Sequence, residues 1–207
     1  MKIVLLGAPG SGKGTQASFI SNEYKLPHIS TGEIFRDNIK RKTPIGVKIK
    51  EIIDAGNLCP DDLTVEIVKN RLLEKDCENG YLLDGFPRNK FQADMLEKIC
   101  APDVVLNIDV DLELVKKRIS SRRYCEKCGD TFNALNLDDD KVCPKCAGRL
   151  LIRADDDVKS VEERIVVYKK QTEPLVEYYK GLNKLVMVNG NQSIEEVFAE
   201  IKKTLGK

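Results

Sequence analysis

The sequence has no tryptophan and a single histidine, and aromatic residues make up only 6% of its 207 positions. The single histidine is not expected to serve a Cys–His or Ser–His–Asp arrangement. His28 follows Pro27 at the start of a short strand and reads as a structural or solvated side chain. No apolar run approaches the ~20 residues that a membrane-spanning helix needs. Lys2 precedes only the short run Ile3–Leu6, with a glycine loop directly behind it, so the expectation is a first strand rather than a signal peptide. Lysine and arginine (34) almost balance aspartate and glutamate (33), leaving +1. A general nucleic-acid binder usually shows a strong basic excess, and no basic–aromatic stripe is present either. Internal repeats and low-complexity tracts are also missing. The expected partners are small molecules, with no nucleic acid and no membrane, and the protein is expected to be a cytoplasmic monomer.

What is present suits a folded protein with one substantial core: 42% apolar and 32% charged residues. Apolar runs that read as strands lie at 2–6, 81–84, 104–109 and 184–188. Segments with helical spacing separate them, at about 61–76, 88–99, 111–121, 160–180 and 193–205. This alternation predicts an α/β fold, a parallel sheet with helices on both faces. Pro174 should kink or split the 160–180 helix. Residues 30–60 and 122–158 do not fit the alternation and read as inserts, the first of them helical.

The most telling stretch is GAPGSGKGTQ at 7–16, between the first strand and a helix predicted over Thr15–Tyr24. Gly7, Gly12 and Lys13 satisfy G-x-x-x-x-G-K. Backbone N–H groups of such a loop and the positive end of the following helix converge on an anion, and Lys13 adds a full charge. The residue after the lysine is Gly14, and the first hydroxyl is Thr15, so magnesium is expected on nucleotide oxygens and waters rather than on a protein hydroxyl. Asp84 ends the apolar strand Tyr81–Leu83, well placed to order those waters; the plainer alternative is a turn-initiating Asp before Gly85.

Seven cysteines without a secretion signal suggest a reducing compartment. Cys125, Cys128, Cys143 and Cys146 stand as C-x2-C-x14-C-x2-C, the spacing of a closed tetrahedral zinc site, with iron the next candidate. Gly129 and Gly148 follow the two pairs as in rubredoxin-like knuckles. Such a site has no open position, so its role should be structural. Cys59, Cys77 and Cys100 stand alone and read as small buried side chains.

Taken together, GAPGSGKGTQ at 7–16, STGEIFR at 30–36, LLDGFPR at 82–88, Arg122–Arg123, RADD at 153–156 and Arg164 resemble the adenylate kinase family, of the bacterial type with a zinc-bearing lid. The resemblance covers essentially the whole chain. It implies a P-loop NTPase-like CORE (1–29, 60–121 and 159–207), an AMP-binding insert (30–59) and a zinc-ribbon-like lid (122–158). The implied reaction is ATP + AMP ⇌ 2 ADP with Mg²⁺. It assigns Gly10, Ser11, Gly12, Lys13, Gly14, Thr15, Arg122, Thr131, Phe132 and Gln192 to ATP. It assigns Thr31, Arg36, Asn57, Leu58, Cys59, Gly85, Phe86, Pro87, Arg88, Gln92, Arg153 and Arg164 to AMP. Lys13, Asp84, Arg88, Arg122, Arg153 and Arg164 carry the transfer. Cys59 stands where the family usually shows valine, and Asn89 where threonine often follows GFPR, with no consequence attached to either.

Several of these residues have plainer readings. Thr31 alone would be a helix N-cap with Glu33 nearby. Gln92, four residues after Arg88, should share a helical face with it, and its amide can both donate and accept at an adenine edge. Arg118 and Arg123 divide evenly between ligand and surface. Two alternatives stay open from the residues: a kinase for another nucleoside monophosphate, which Thr31 and Gln92 disfavour, and a zinc-ribbon nucleic-acid module driven by a P-loop ATPase, which the charge balance disfavours.

Overall fold

A computed structural model describes residues 1–206. Five parallel strands make the central sheet: β1 (Lys2–Leu6), β2 (His28–Ser30), β3 (Tyr81–Asp84), β4 (Val104–Asp109) and β8 (Leu185–Asn189), in the order β2-β3-β1-β4-β8. The last strand sits one residue beyond the expected 184–188. β1 is central, with Ile3 opposite Leu82 on one side and Val104 on the other. Its apolar run is continuous because both faces are covered. Ile3 and Leu5 join Leu82, Leu106 and Val188 under α1 (Lys13–Tyr24) and α9 (Ile194–Leu205). Val4 and Leu6 join Tyr81, Leu83 and Val105 on the other face. There they meet α4 (Asp61–Leu72), α5 (Lys90–Cys100) and α8 (Leu175–Gly181) through Val68, Leu96 and Tyr179. Alternate side chains of one strand therefore build two cores.

The helical segment expected at 61–76 ends at Leu72, and a 3₁₀ turn covers Lys75–Cys77. The 160–180 segment is split: α7 (Val158–Val167) runs into a π-turn (Tyr168–Thr172), and α8 begins after Pro174. Proline has no N–H for the ladder and its ring crowds the carbonyl four residues back, so the helix cannot run through. α6 (Leu112–Ser120) completes the helices of the main body.

Residues between β2 and α4 form α2 (Thr31–Lys40) and α3 (Pro44–Asp54), which close their own small core around Phe35, Ile49 and Cys59. The cap of α2 is Ser30, whose hydroxyl accepts from the Glu33 N–H at 3.4 Å. Thr31 is the first helical residue, so its reading as the cap is corrected, and its hydroxyl is directed elsewhere. After α6 the chain leaves the sheet as a three-stranded antiparallel unit, β5 (Arg122–Cys125), β6 (Thr131–Asn133) and β7 (Leu150–Leu151), ordered β6-β5-β7. Its apolar cluster is only Leu150, Phe132 and Leu137 with three of the cysteines. Leu135 and Val142 are exposed. The helical insert touches α7, where the Ser160 hydroxyl donates to the Asp54 carbonyl at 2.8 Å.

Candidate active site

The loop between β1 and α1 lies at the carboxyl end of the central strand, where parallel sheets of this kind bind ligands. Gly12 precedes α1 with φ of 96°, and a Cβ there would meet nothing within 4 Å. Glycine is needed for the backbone conformation, not for want of space. Lys13 folds over the loop and donates to the carbonyls of Gly7 and Ala8, each at 2.8 Å. Its pKa is lowered to about 8, first by withdrawal from water and then by Arg88, Arg164 and Arg122, against an opposing pull from Asp84. Lys13 is only half-buried, so the crowd of protein atoms and cations matters more than complete loss of solvent. Asp84 faces the start of α1: its Oδ2 would lie 3.9 Å from a Cβ on Gly14. Burial raises its pKa, but His28, 3.7 Å away, and Lys13 more than offset this and hold it below the usual carboxylate range.

Five arginines form one group, of which Arg88, Arg122 and Arg164 act on Lys13. Arg122 and Arg164 are held by carboxylates of the RADD stretch. Arg122 grips Asp156 with both Nε (2.7 Å) and its terminal nitrogen, and Arg164 reaches Asp155 at 2.8 Å and Asp156 at 3.0 Å. Asp156 has no exposed side-chain surface. Arg153 donates to the Thr131 hydroxyl at 2.9 Å, and its Nε is buried without a partner. Its pKa falls to about 9, chiefly from desolvation and then from Arg36 and Arg122. Arg36 and Arg88 make no ion pair among the described residues, and both are pushed below the ordinary guanidinium value by desolvation. Unpaired guanidinium groups withdrawn from water call for an anion.

Arg36, Arg88 and Arg164 line one cleft of about 560 Å³, space open to solvent included, together with Thr31, Asn57, Leu58, Cys59, Gly85 and Gln92. The structure does not bring Phe86, Pro87 or Arg153 to this lining; Phe86 is 1% exposed and belongs to the main core. Cys59 closes the cleft floor, and burial raises its thiol to about 11, which keeps it uncharged at neutral pH. Thr31 Oγ1 and Arg88 Nε both donate to the Gly85 carbonyl at 2.8 Å. Phe35, Ile53 and Thr64 add to the lining and were not foreseen.

Arg88 is not on a helix. It precedes α5, whose cap is Asn89, and its backbone N–H donates to Gln92 Oε1 at 2.8 Å. The two residues meet through that bond rather than through a shared helical face. Asn89, to which no consequence was attached, accepts from the Gln92 N–H and donates to Asp61 at 2.8 Å. An Asn directly ahead of an apolar-periodic segment was the available signal. Thr172 donates to the Arg88 carbonyl at 2.6 Å.

On the loop side, Gly10, Ser11, Gly12, Lys13, Gly14 and Thr15 form the turn and the first helical residues. Arg118 braces that turn, bonding the carbonyls of Ser11 (3.4 Å) and Gly190 (3.1 Å). Gln192 lies in the connection from β8 to α9, tied by its amide to Asn189 and Glu200. Thr131 and Phe132 sit on β6, with Phe132 packed into the small cluster of the antiparallel unit. Arg123 pairs with Asp140 at 2.8 Å.

The four knuckle cysteines converge: their sulfur atoms all lie within 4.8 Å of one another. Four thiolates at ~2.3 Å from a tetrahedral zinc stand about 3.8 Å apart. Cys128 and Cys143 are separated by 3.8 Å, and Cys125 and Cys146 by 3.5 Å. N–H groups of Lys127 and Cys128 point at Cys125 Sγ, as thiolate requires. Gly129 supplies the left-handed residue of the first knuckle (φ 76°), but Ala147 does so in the second (φ 54°). Gly148 is small for another reason, since a Cβ would stand 2.8 Å from Cys125 Sγ and 3.3 Å from Cys146 Sγ. The set fits zinc in donor type, spacing and clearance.

A glycine-loop-and-lysine anion site on a parallel sheet, ringed by arginines, defines a P-loop phosphate-handling α/β protein. Comparison with known proteins narrows this. The family model described as adenylate kinase matches residues 5–184. Adenylate kinases of Clostridium tetani (strain Massachusetts / E88), Thermoanaerobacter sp. (strain X514) and Caldicellulosiruptor saccharolyticus are 49%, 48% and 47% identical to this chain. Each match spans 100% of this chain and 98–99% of the relative. The chain belongs to the adenylate kinase family.

Proposed function

We propose that the protein catalyses ATP + AMP ⇌ 2 ADP by direct in-line phosphoryl transfer, with Mg²⁺ accompanying ATP. One observation carries the reading: unpaired Arg36 and Arg88 share a cleft with Arg164, beside a P-loop lysine at the carboxyl end of the sheet. The acceptor phosphate is already ionised at neutral pH, so no general base is needed. The difficulty is repulsion between two polyanions and the spreading of charge in transfer, which positioning and cations overcome. Arg36 and Arg88 hold the AMP phosphate as forks. Lys13 and the loop N–H groups hold the ATP phosphates. Arg122, Arg153 and Arg164, kept in place by Asp155, Asp156 and Thr131, complete the ring, while Thr131, Phe132 and Gln192 flank the ATP base. Bound magnesium supplies charge neutralisation on the donor phosphates, and Asp84 orders the waters around it.

In this reading residues 1–29, 60–121 and 159–207 are the CORE, 30–59 the AMP insert and 122–158 the lid, held in shape by zinc on Cys125, Cys128, Cys143 and Cys146. Lid closure excludes the water that competes for the transferred group. Among the described residues no helix is long and apolar enough to cross a membrane. The reading also takes the enzyme to be a cytoplasmic monomer. The test is AMP-dependent ADP formation in a coupled assay, run beside CMP, GMP and UMP. Activity with AMP only is expected; stronger activity with another monophosphate would overturn the substrate assignment.

Two further outcomes follow from the site. Gln92→Leu removes an amide from one base site and is expected to weaken AMP by about 1–3 kcal/mol while leaving the ATP KM in place; equal loss for both nucleotides would refute its assignment. The second concerns pH. Lys13, with its pKa near 8, loses its charge in the free enzyme as pH rises through that value. kcat/KM for MgATP, which reports the free enzyme, is expected to fall above about pH 8, while kcat holds to higher pH because bound phosphate restores the charge. A kcat/KM flat to about pH 10 would show that Lys13 stays charged. For folding the sign differs: between about 8 and 10.5 the unfolded chain binds the extra proton, so this group makes stability rise with pH there.

A further inference from the structure

We infer that Asp61, outside the cleft, is a positioning residue that fixes which way the Gln92 amide faces and thereby sets the preference for adenine over a 6-oxopurine. The inference rests on the reading of Gln92 as the base contact. Gln92 lines the cleft yet is 1% exposed. Both ends of its amide are engaged. Oε1 accepts from the Arg88 backbone N–H at 2.8 Å, and Nε2 donates to Asp61 Oδ1 at 2.7 Å. Asp61 Oδ1 also accepts from Asn89 Nδ2 at 2.8 Å, which pins the carboxylate in turn.

Oxygen and nitrogen ends of an amide are easily interchanged, but here the partners decide. A backbone N–H can only donate, and a carboxylate can only accept. Rotating the amide by half a turn would set donor against donor at Arg88 and acceptor against acceptor at Asp61. One N–H and one oxygen lone pair of Gln92 remain for the ligand, in a fixed order. Adenine offers an acceptor ring nitrogen beside a donor amino group, which that order can satisfy. Hypoxanthine and guanine offer the reverse, a donor N–H beside an acceptor carbonyl, and would need the rotated amide. A site whose buried polar groups are left unpaired rejects the wrong ligand strongly.

The experiment measures kcat/KM for AMP and for inosine monophosphate at saturating MgATP, in the wild type, Asp61→Ala, Asp61→Asn and Gln92→Leu. Asp61→Ala releases the amide and is expected to lower the AMP-to-IMP ratio about tenfold, through the monophosphate KM and with the ATP KM unmoved. Asp61→Asn keeps an acceptor oxygen and is expected to hold the ratio within about threefold of wild type. Should Asp61→Ala not fold, Asp61→Ser, too short to reach the amide, replaces it. An unchanged ratio in Asp61→Ala, or equal losses in the Ala and Asn variants, would overturn the inference. Gln92→Leu separates the two levels. If it collapses the ratio while Asp61→Ala does not, only the role of Asp61 fails; if neither changes it, the reading of Gln92 fails.

Discussion

Lys13→Met is expected to reduce kcat by about 10²–10³-fold while leaving the fold intact, by analogy with loss of a preorganised donor at a developing charge. Lys13 carries the only ammonium on the glycine loop, and its present bonds to Gly7 and Ala8 carbonyls tie it to the loop it serves. Arginines gather around it, but they are held by Asp155, Asp156 and Thr131 or directed to the neighbouring cleft, so none stands ready to replace it. Folding should tolerate the change, because a half-buried cation with a lowered pKa is removed in favour of an apolar chain of similar length. The check is kcat on purified variant alongside its thermal midpoint. Near-normal kcat would show that the donor phosphates are held elsewhere.

The second large effect is on stability. Chelation or Cys125→Ser is expected to lower the thermal midpoint, while activity measured well below that midpoint mostly survives. The antiparallel unit buries little apolar surface beyond Leu150, Phe132 and Leu137, too little for so small a unit to hold one shape without a crosslink. Four thiolates within 4.8 Å fill a tetrahedral shell and leave no position for substrate or water. Metal binding thus enters as folding free energy of this unit. In a chain of this length each kcal/mol lost shifts the midpoint by roughly 2–4 °C. Melting that is unchanged without metal, combined with lost activity at low temperature, would make the metal catalytic.

These predictions draw on features with unequal visibility in the sequence. The P-loop and the cysteine ladder are local: their chemistry needs fixed residue types at fixed short spacings, so strand, loop and knuckle can be read directly. Buried strands such as Ile3–Leu6 announce themselves by composition. Even so, the second knuckle was misplaced by one residue, because Ala147 tolerates a left-handed conformation that glycine was expected to supply. Gly148 next to it was legible as small but not for the right reason, since the crowding comes from sulfur atoms contributed by both knuckles.

The sequence alone determined the parallel α/β order, the anion loop, the four-thiolate set and the supply of arginines, because each depends on neighbours in the chain. Only the tertiary structure decided which of those arginines are already paired. Asp156 reaches Arg122 from 34 positions away and Asp155 reaches Arg164 from nine, while Arg36 and Arg88 make no ion pair among the described residues. It also decided that Asp61 holds the Gln92 amide from 31 positions away and is itself held by Asn89, 28 positions on. Hydrogen-bond direction and charge pairing between distant segments leave no periodic trace in a sequence; they exist only once packing against the sheet has brought the partners within about 3 Å.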